Sequence, residues 1–304
     1  LINQSGWRFS MRKSYWSAAA GLVLASGLLV YWAISRKDAA VVLGRSAPES
    51  ARRSMAVIDH GTWDRLLATY VDTEGRVDYA AWKASAADRS ALADYLAELS
   101  TADPGVSAPS EAVLAYWINA YNAVTVAGIL REYPTSSIRN HTPRLFGYHI
   151  WYDLLLPVGD GFYSLDTIEH EILRPLGEPR IHFALVCASR GCPRLLNEAY
   201  TESRLESQLS MNARHFFASP SKFRYDAASA TFYVSPLLDW FGEDFGPDPE
   251  SRLRRLIEYL PPPAPSVLSS DGPSIAVEYL DYDWKLNDRP RDGGRGKRRA
   301  GGAA

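Results

Sequence analysis

A charge-free apolar run near the N-terminus constrains this chain more than any other feature. From Tyr15 onwards about 20 residues carry no charge, including "SAAAGLVLASGLLVYWAI" (17–34), and basic residues flank the run on both sides. A helix needs about 20 such residues to cross a bilayer, whereas the apolar part of a cleaved signal peptide spans ~7 to 15 and precedes small residues. Aromatic and basic residues follow here instead. We therefore predict a transmembrane signal anchor at 15–35, after a short N-terminal segment at 1–14.

This anchor predicts where the rest of the chain lies. Both flanks are basic, and the short N-terminal side most simply stays in the cytoplasm. A single-pass membrane protein results, with its domain in the periplasm or at the cell exterior and the membrane as its first partner. A formal net charge of −2 gives no global attraction to nucleic acid, so none is expected as a partner. A cleaved signal peptide is the alternative.

The regions on either side of the domain differ from it in composition. Residues 36–54 lack a sustained hydrophobic period and contain Gly, Pro, Ser and Arg, which predicts a linker. The final segment, 287–304, has no aliphatic residue larger than Ala and predicts a disordered basic tail. Between them, a single domain at 55–286 shows no internal repeat. With 46% hydrophobic residues in the chain, it can bury a substantial core.

Hydrophobic periodicity predicts helices first and strands later in this domain. Helical patterns occur at 62–71, 87–99, 164–176 and from a possible N-cap at Ser110 to Pro134. Aromatic and β-branched runs predict strands at 148–158 and 180–187, a hairpin at 222–235 and a closing strand at 274–286. The expected class is α+β, with the N-terminal helices packed on a mainly antiparallel or mixed sheet.

Five motifs, in order, resemble the domain of unknown function family 547. They are "VDTEGRVDY", "AYWINAYNAVTV", "SLDTIEHEILR", "RIHFALVCASRGCPRL" and "YLDYDWKLN", and they cover most of 60–287. The family has no agreed activity to carry over. Its pattern resembles "HFALxCxSxxCP", and members can lack the second cysteine, which implies that Cys187 matters more than Cys192.

The two cysteines of the chain, Cys187 and Cys192, admit three interpretations. In an oxidising compartment they can form a disulfide that closes a small loop. With His170 and His182 they supply zinc-ligand types, but the spacing differs from the tight CxxC of zinc modules. The third interpretation is a Cys187 nucleophile served by a histidine base. No metal or cofactor is expected.

The nucleophile hypothesis requires a histidine that converges on Cys187. In a regular strand, His182 and Cys187 point to opposite faces, which predicts that His182 is a hydrogen-bonded core residue rather than the base. His170 lies four residues after Asp166 on a predicted helix, so this carboxylate can orient the imidazole. A solvated helix pair is the structural alternative.

The same helix places an acid in its apolar stripe. Glu169 falls between Leu165 and Leu173, where a carboxylate needs a cation or hydrogen-bond donors. Arg180 and Arg190 flank the cysteine segment, and we expect one of them to contact Glu169. The pair is either a structural ion pair or part of a catalytic or ligand-binding acid.

A polar stripe runs through the otherwise apolar helix around "WINAYNAVTV". Asn119, Asn122 and Thr125 recur every three residues, and buried amides must be hydrogen-bonded. They either bond neighbouring backbone or line a pocket whose other wall is the turn after Cys187. Ser189 lies in that turn, a common location for sites.

Two function classes follow from these residues. One is an exported cysteine-dependent hydrolase or acyl transferase acting on a peptide or envelope-derived substrate. Its predicted catalytic residues are Cys187, His170, Glu169 and Asp166, and its predicted ligand-binding residues are Asn119, Asn122, Arg180, His182, Ser189 and Arg190. The other is a non-catalytic envelope binding module with a structural disulfide between Cys187 and Cys192.

Overall fold

The computed structural model describes residues 40–142, 148–270 and 275–290. The anchor predicted at 15–35 and the segment before it lie outside the described residues, as does the tail from residue 291 onwards.

One long helix, Ser110–Glu132, runs through the core and is here termed the central helix. Its sequence is apolar on almost every face, as expected of a helix surrounded by protein. Among the described residues it alone is long and apolar enough to cross a membrane, at a mean hydropathy of 1.4, but 83% of that stretch is buried. The predicted N-cap role of Ser110 is wrong, because the helix begins directly after Pro109 and the Ser110 hydroxyl donates to Glu111 instead.

The two predicted N-terminal helices are confirmed, and a short helix that was not predicted lies between them. The bounds of the three are Gly61–Tyr70, Tyr79–Ala84 and Ala86–Leu99. Asp78 and Ser85 cap the second and third, each accepting a backbone N–H of the first turn. Trp63 stacks on Tyr95 with ring centroids 5.7 Å apart, which joins the first and third helices.

The strands form two small mixed sheets rather than one. The first contains β1 (Val41–Val42), β2 (Leu154–Val158) and β3 (Gly161–Tyr163), and the second contains β4 (Phe223–Asp226), β5 (Thr231–Val234) and β6 (Ala276–Tyr279). In each sheet the middle strand has one parallel and one antiparallel neighbour, with Phe232 of β5 opposite Tyr225 and Val277. The α+β class and the hairpin are confirmed. The predicted strand at 148–158 is shorter than expected, since Ile150–Asp153 is helical, and only β6 forms in the closing segment.

The segments on both sides of the predicted domain are also part of it where the structure describes them. Val41 pairs with Leu154 in β2, and Arg53 forms an ion pair with Glu98 at 2.8 Å, so a free linker is the wrong description of 40–54. Asn287 is buried, and its carbonyl accepts the Val77 N–H. The first residues of the predicted tail are therefore folded.

The strand predicted at 180–187 is wrong. Pro179 starts a 3-10 helix, Pro179–Phe183, and the Glu178 side chain caps it by accepting the Arg180 N–H. Beyond this turn, the Asn122 side chain bonds the Ala184 carbonyl and the Val186 N–H. A side chain thus occupies the backbone groups that a neighbouring strand would use, and alternation along 180–187 does not apply.

Two hydrophobic clusters make up the core. The larger surrounds the central helix, and the smaller is rich in Phe and is centred on the helix Leu205–Ala218, where Phe183 meets Phe216 and Phe217. Short helices cover this second cluster: Leu237–Trp240, Gly242–Phe245, Pro249–Arg255 and Ala264–Ser269. The cysteine segment passes between the two clusters.

Candidate functional site

The helix that carries three of the predicted catalytic residues is confirmed in extent but not in form. Ser164 caps it by accepting the Thr167 N–H, and one α-helical turn, Leu165–Thr167, passes into a π-helical turn at Ile168–Leu173. A 3-10 turn, Arg174–Leu176, completes it. Single π-helical turns are frequent at functional sites, because they change the direction of side chains within a helix.

This helix forms one wall of a cavity of about 200 Å³, here termed the aromatic cavity. Its aromatic lining consists of Tyr121, Trp151, Trp240, Phe241, Tyr282 and Trp284. Its polar lining includes Asp166, Glu169, His170, His182, Cys187 and Cys192. The structure thus brings the four predicted catalytic residues to one cavity, together with His182.

Asp244 orients His182 at the back of this cavity. The His182 Nε2 atom lies 2.6 Å from Asp244 Oδ2, and the imidazole stacks on Phe241 with ring centroids 4.1 Å apart. Arg174 donates to both oxygens of the same carboxylate, at 2.7 and 2.9 Å. Burial acts to raise the pKa of Asp244, but the hydrogen bonds from Arg174 and His182 outweigh it and the pKa is lowered.

The charge state of His182 follows from this contact. Its side chain is only 1% exposed, and burial lowers its pKa to about 4 despite the hydrogen bond to Asp244. At neutral pH the ring is therefore neutral, with its proton on Nε2, where it donates to Asp244. The other nitrogen, Nδ1, is buried and has no hydrogen-bond partner among the described residues. It faces Glu169, whose Oε1 atom is 3.9 Å away, beyond hydrogen-bond distance.

Glu169 is largely buried, but the predicted arginine contact is wrong. Tyr121 donates its hydroxyl to Glu169 Oε2 at 3.0 Å, and burial raises the pKa of this carboxyl. Arg180 is bound instead by Glu178 and Glu206, at 2.7 and 2.6 Å. Arg190 is exposed and lines a different cavity. Neither of these two predicted ligand-binding residues lies in the aromatic cavity.

Cys187 and Cys192 form a disulfide, with Cα atoms 6.2 Å apart, and the segment between them is here termed the disulfide loop. The hydroxyls of Ser189 and Tyr282 each lie 3.2 Å from Cys187 Sγ. A side chain at Gly191 would place its Cβ 2.9 Å from the Tyr282 ring, so this close approach requires glycine. The loop is therefore fitted against Tyr282, and the pairing is the one expected of the structural-disulfide alternative.

The polar stripe of the central helix positions the chain before the disulfide loop and does not line the cavity. Asn122 bridges the Ala184 carbonyl and the Val186 N–H, both at 3.0 Å. Asn119 bonds both backbone groups of Tyr200 in the same way. The pocket-lining interpretation of these amides is therefore wrong, and the backbone interpretation is confirmed. Asn122 acts on the site through the backbone that leads to Cys187.

The two candidate histidines differ in their surroundings. His170 is 40% exposed, its Nε2 lies 3.9 Å from Asp166, and Arg174 Nη1 lies 3.1 Å from its Nδ1. His182 is buried and has a short contact to a carboxylate. The argument that placed His182 and Cys187 on opposite faces does not apply, because the strand does not form, whereas the prediction of a hydrogen-bonded core histidine is confirmed. Both histidines and Cys187 line the same cavity.

Sequence reasoning missed Asp244 and the aromatic walls. Asp244 belongs to a four-residue helix far along the chain and reaches His182 only through tertiary packing, so no local pattern marks it. Tyr282 and Trp284 lie in the closing motif "YLDYDWKLN", which is one of the five motifs of the family resemblance and in that way was a signal for them. The Trp284 ring stacks on Trp240 and the Tyr282 ring lies tilted against it, and Trp240 itself is 47% exposed.

Comparison with known proteins shows that part of the chain is similar to a family model. Residues 107–217 match the family model described as "Protein of unknown function, DUF547". The matched segment contains Glu169, His182 and Cys187 but ends before Asp244 and Tyr282. No curated protein and no solved structure matches the chain. Within the described ranges, no group of three His, Cys, Asp or Glu residues is placed to hold a metal ion.

Proposed function

For this chain, which carries a DUF547 domain, we propose that the aromatic cavity is the active site of a cysteine-dependent hydrolase or acyl transferase. Cys187 is the nucleophile, His182 the general base and Asp244 the group that orients the base. The observation that carries the proposal is the different surroundings of the two His182 ring nitrogens. Nδ1 is buried, has no hydrogen-bond partner among the described residues and belongs to a side chain that lines the same cavity as Cys187, whereas Nε2 lies 2.6 Å from a carboxylate oxygen of Asp244.

The residues present support each step of acyl transfer. The Cys187 thiol attacks the carbonyl carbon of a peptide or ester, and its proton passes to His182 Nδ1. The imidazolium that forms is stabilised by the ionised Asp244 at Nε2. The leaving amine or alcohol takes the proton as the carbon–leaving-group bond breaks. Water, or an acceptor amine, then releases the acyl group from the thioester.

Because Cys187 is bonded to Cys192, the disulfide must be reduced before acyl transfer can begin. A dithiol reductant converts the Cys187–Cys192 disulfide to two thiols and is itself oxidised to a disulfide. The hydroxyls of Ser189 and Tyr282 lie 3.2 Å from the Cys187 sulfur in the disulfide form, so they are placed to donate to a thiolate there after reduction. Burial raises the pKa of the Glu169 carboxyl, which lines the same cavity, and so disfavours a second negative charge there.

A second candidate function is favoured by the disulfide itself. With both sulfurs bonded to each other, the aromatic cavity is a binding site whose walls are ring faces and whose one largely buried acid is Glu169. A non-catalytic module of the envelope would use it to hold a ligand with apolar or cationic groups.

We also propose that the domain is exported and anchored to a membrane by the segment at 15–35. The length and flanking residues of this segment support an anchor, and a disulfide is typical of an oxidising compartment. The expected result is that the full-length protein pellets with membranes and resists carbonate extraction. Recovery of a mature N-terminus beyond residue 36 would show cleavage instead.

The enzymatic proposal is tested with a chromogenic acetyl ester and the reduced protein. Mass spectrometry of digests should find the acetyl group on Cys187, and His182→Asn should slow its formation about a hundredfold. The matched control is His170→Asn, which removes the other cavity histidine and should change the rate less than about threefold. Acetylation of Cys187 at the same rate in both variants would contradict the role of His182. Absence of acetylation in the reduced, folded protein would favour the binding module.

A further inference from the structure

The disulfide loop has a second cavity on its other side, with a volume of about 350 Å³. Cys192 and Tyr282 line both cavities. The second cavity is here termed the basic cavity, because its lining includes Arg76, Arg190, Arg194, His215 and Lys222. The proposed acyl-transfer chemistry uses none of these side chains.

Two of the cations lie within the cavity wall and lack acidic partners. Lys222 donates to the Cys192 carbonyl and lies over the Phe216 ring at 5.1 Å. Arg194 donates to the Asn212 side chain and to the Thr73 carbonyl, both at 2.8 Å. Neither forms an ion pair with a carboxylate in the part of the chain that the structure describes. Their positive charges are thus held in place by neutral acceptors.

The acidic residues of the same cavity are at its exposed rim. Glu74, Asp281 and Asp283 are all exposed, whereas Arg194 and Lys222 are half-buried. Glu74 lies 3.6 Å from His215 Nε2, and Asp283 accepts the backbone N–H of a nearby lysine. Water screens exposed carboxylates more than the cations inside the wall. The interior of the cavity is therefore more positive than its rim.

We propose that the basic cavity binds a small oxyanion, the carboxylate or phosphate group of a ligand, through Arg194 and Lys222. The Lys222 ammonium keeps two N–H donors beyond its bond to Cys192, and the Arg194 guanidinium keeps its second terminal nitrogen. The hydroxyls of Ser219 and Ser221 line the same space and bond each other at 2.9 Å, which leaves one hydroxyl proton of the pair as a further neutral donor. Burial lowers the pKa of Lys222 to about 8, and a bound anion would offset this cost.

The proposed anion site follows from the side chains of the basic cavity and does not require a reactive Cys187. Its position does place a bound anion across the disulfide loop from the aromatic cavity, against the carbonyl of Cys192. A ligand that reaches both cavities would therefore carry an acidic group on one side of the loop and a reactive or apolar group on the other.

Titration of the oxidised full-length chain tests this site, since no thiol is needed. Inorganic phosphate and sodium acetate are the two probes, titrated separately at constant ionic strength against sodium chloride and followed by amide chemical shifts. Either probe should shift amides around residues 192–194 and 219–222 in a saturable manner. A stronger response to phosphate indicates a phosphate-bearing ligand, and a stronger response to acetate indicates a carboxylate.

Charge-removing variants identify the ligating residues. Lys222→Gln should weaken the tighter probe about tenfold, and Arg194→Gln should do the same if it folds. The matched control is Arg214→Gln, which removes an exposed arginine on the neighbouring helix that does not line the cavity. Equal affinities in wild type, Lys222→Gln and Arg214→Gln, or responses no larger than those to chloride, would overturn the proposal.

Discussion

The two cavities that share the disulfide loop differ in how their charges are satisfied. In the aromatic cavity, Asp244 is bound by Arg174 and His182, and Glu169 by the Tyr121 hydroxyl. In the basic cavity, the hydrogen bonds of Lys222 and Arg194 within the described residues all go to neutral oxygens. The first arrangement orients a histidine for proton transfer, because its polar groups are fixed by each other. The second retains charge and donors for a ligand.

The strongest test of this contrast is Asp244→Asn, which changes only the first cavity. The amide no longer stabilises an imidazolium at His182 and no longer fixes its proton on Nε2. Acetylation of Cys187 by the chromogenic ester should then slow about a thousandfold. The control is Asp239→Asn, an exposed acid on the preceding short helix, which should leave the rate unchanged.

The acetylation rate of Asp244→Asn reports on His182 only when the variant is folded. Arg174 loses its carboxylate partner, so circular dichroism has to show that Asp244→Asn is folded at the assay temperature. A folded Asp244→Asn protein with the rate of wild type would show that the His182 contact is structural only.

The pH dependence of stability measures the burial of His182. Its pKa is about 4 in the folded protein against 6.5 for an exposed histidine, so the unfolded chain binds more protons between these values. The stabilisation is therefore complete above pH 6.5 and is lost as the pH falls towards 4, by about 3 kcal/mol. His60, whose pKa burial also lowers to about 4, adds a similar loss elsewhere in the core. Glu169 acts in the opposite direction, because its pKa is raised.

Denaturant titrations of wild type and His182→Asn at several pH values separate these contributions. The variant should lose about 3 kcal/mol less than wild type between pH 6.5 and 4. The same loss in both proteins would mean that His182 is solvated or charged in the folded state.

A substitution of Asn122 tests how the chain before the disulfide loop is held in place. Asn122→Ala leaves the Ala184 carbonyl and the Val186 N–H without their partner in a buried position, and should lower the free energy of unfolding by about 2 kcal/mol. Asn140→Ala, at an exposed amide, should change it by less than about 0.5 kcal/mol. Chemical denaturation measures both. A neutral Asn122→Ala variant would show that the loop is held by other contacts.

The smallest expected effect concerns the pH dependence of anion binding in the basic cavity. Burial lowers the pKa of Lys222 to about 8, so the affinity for acetate, which stays ionised over this range, should fall a few-fold between pH 7 and 9 as the ammonium is lost. The other charged or titratable groups of this cavity are Glu74, Arg76, Arg190, Arg194, His215, Asp281, Tyr282 and Asp283. Lys222→Gln should remove this dependence, and its persistence would assign the titration to another group.

The sequence predicted the parts of this molecule that depend on local patterns. Helical periodicity located two of the N-terminal helices, and the apolar stripe beside Glu169 indicated a buried acid. Local patterns did not predict the form of 180–187, because a short aromatic and β-branched run suits a strand as well as a turn held by a side chain. Asn122 decided between them from the central helix, more than 60 residues away. Asp244 was missed for the same reason.

The central claim, that His182 activates Cys187, is tested most directly by alkylation of the reduced protein across pH. Mass spectrometry after digestion follows the rate at Cys187 in wild type and in His182→Asn. The account predicts that Cys187 in wild type reacts well below pH ~8.5, the usual pKa of a free thiol, and that in the variant it reacts only near that pH. Identical profiles for the two proteins, both rising only near the free-thiol value, would contradict it.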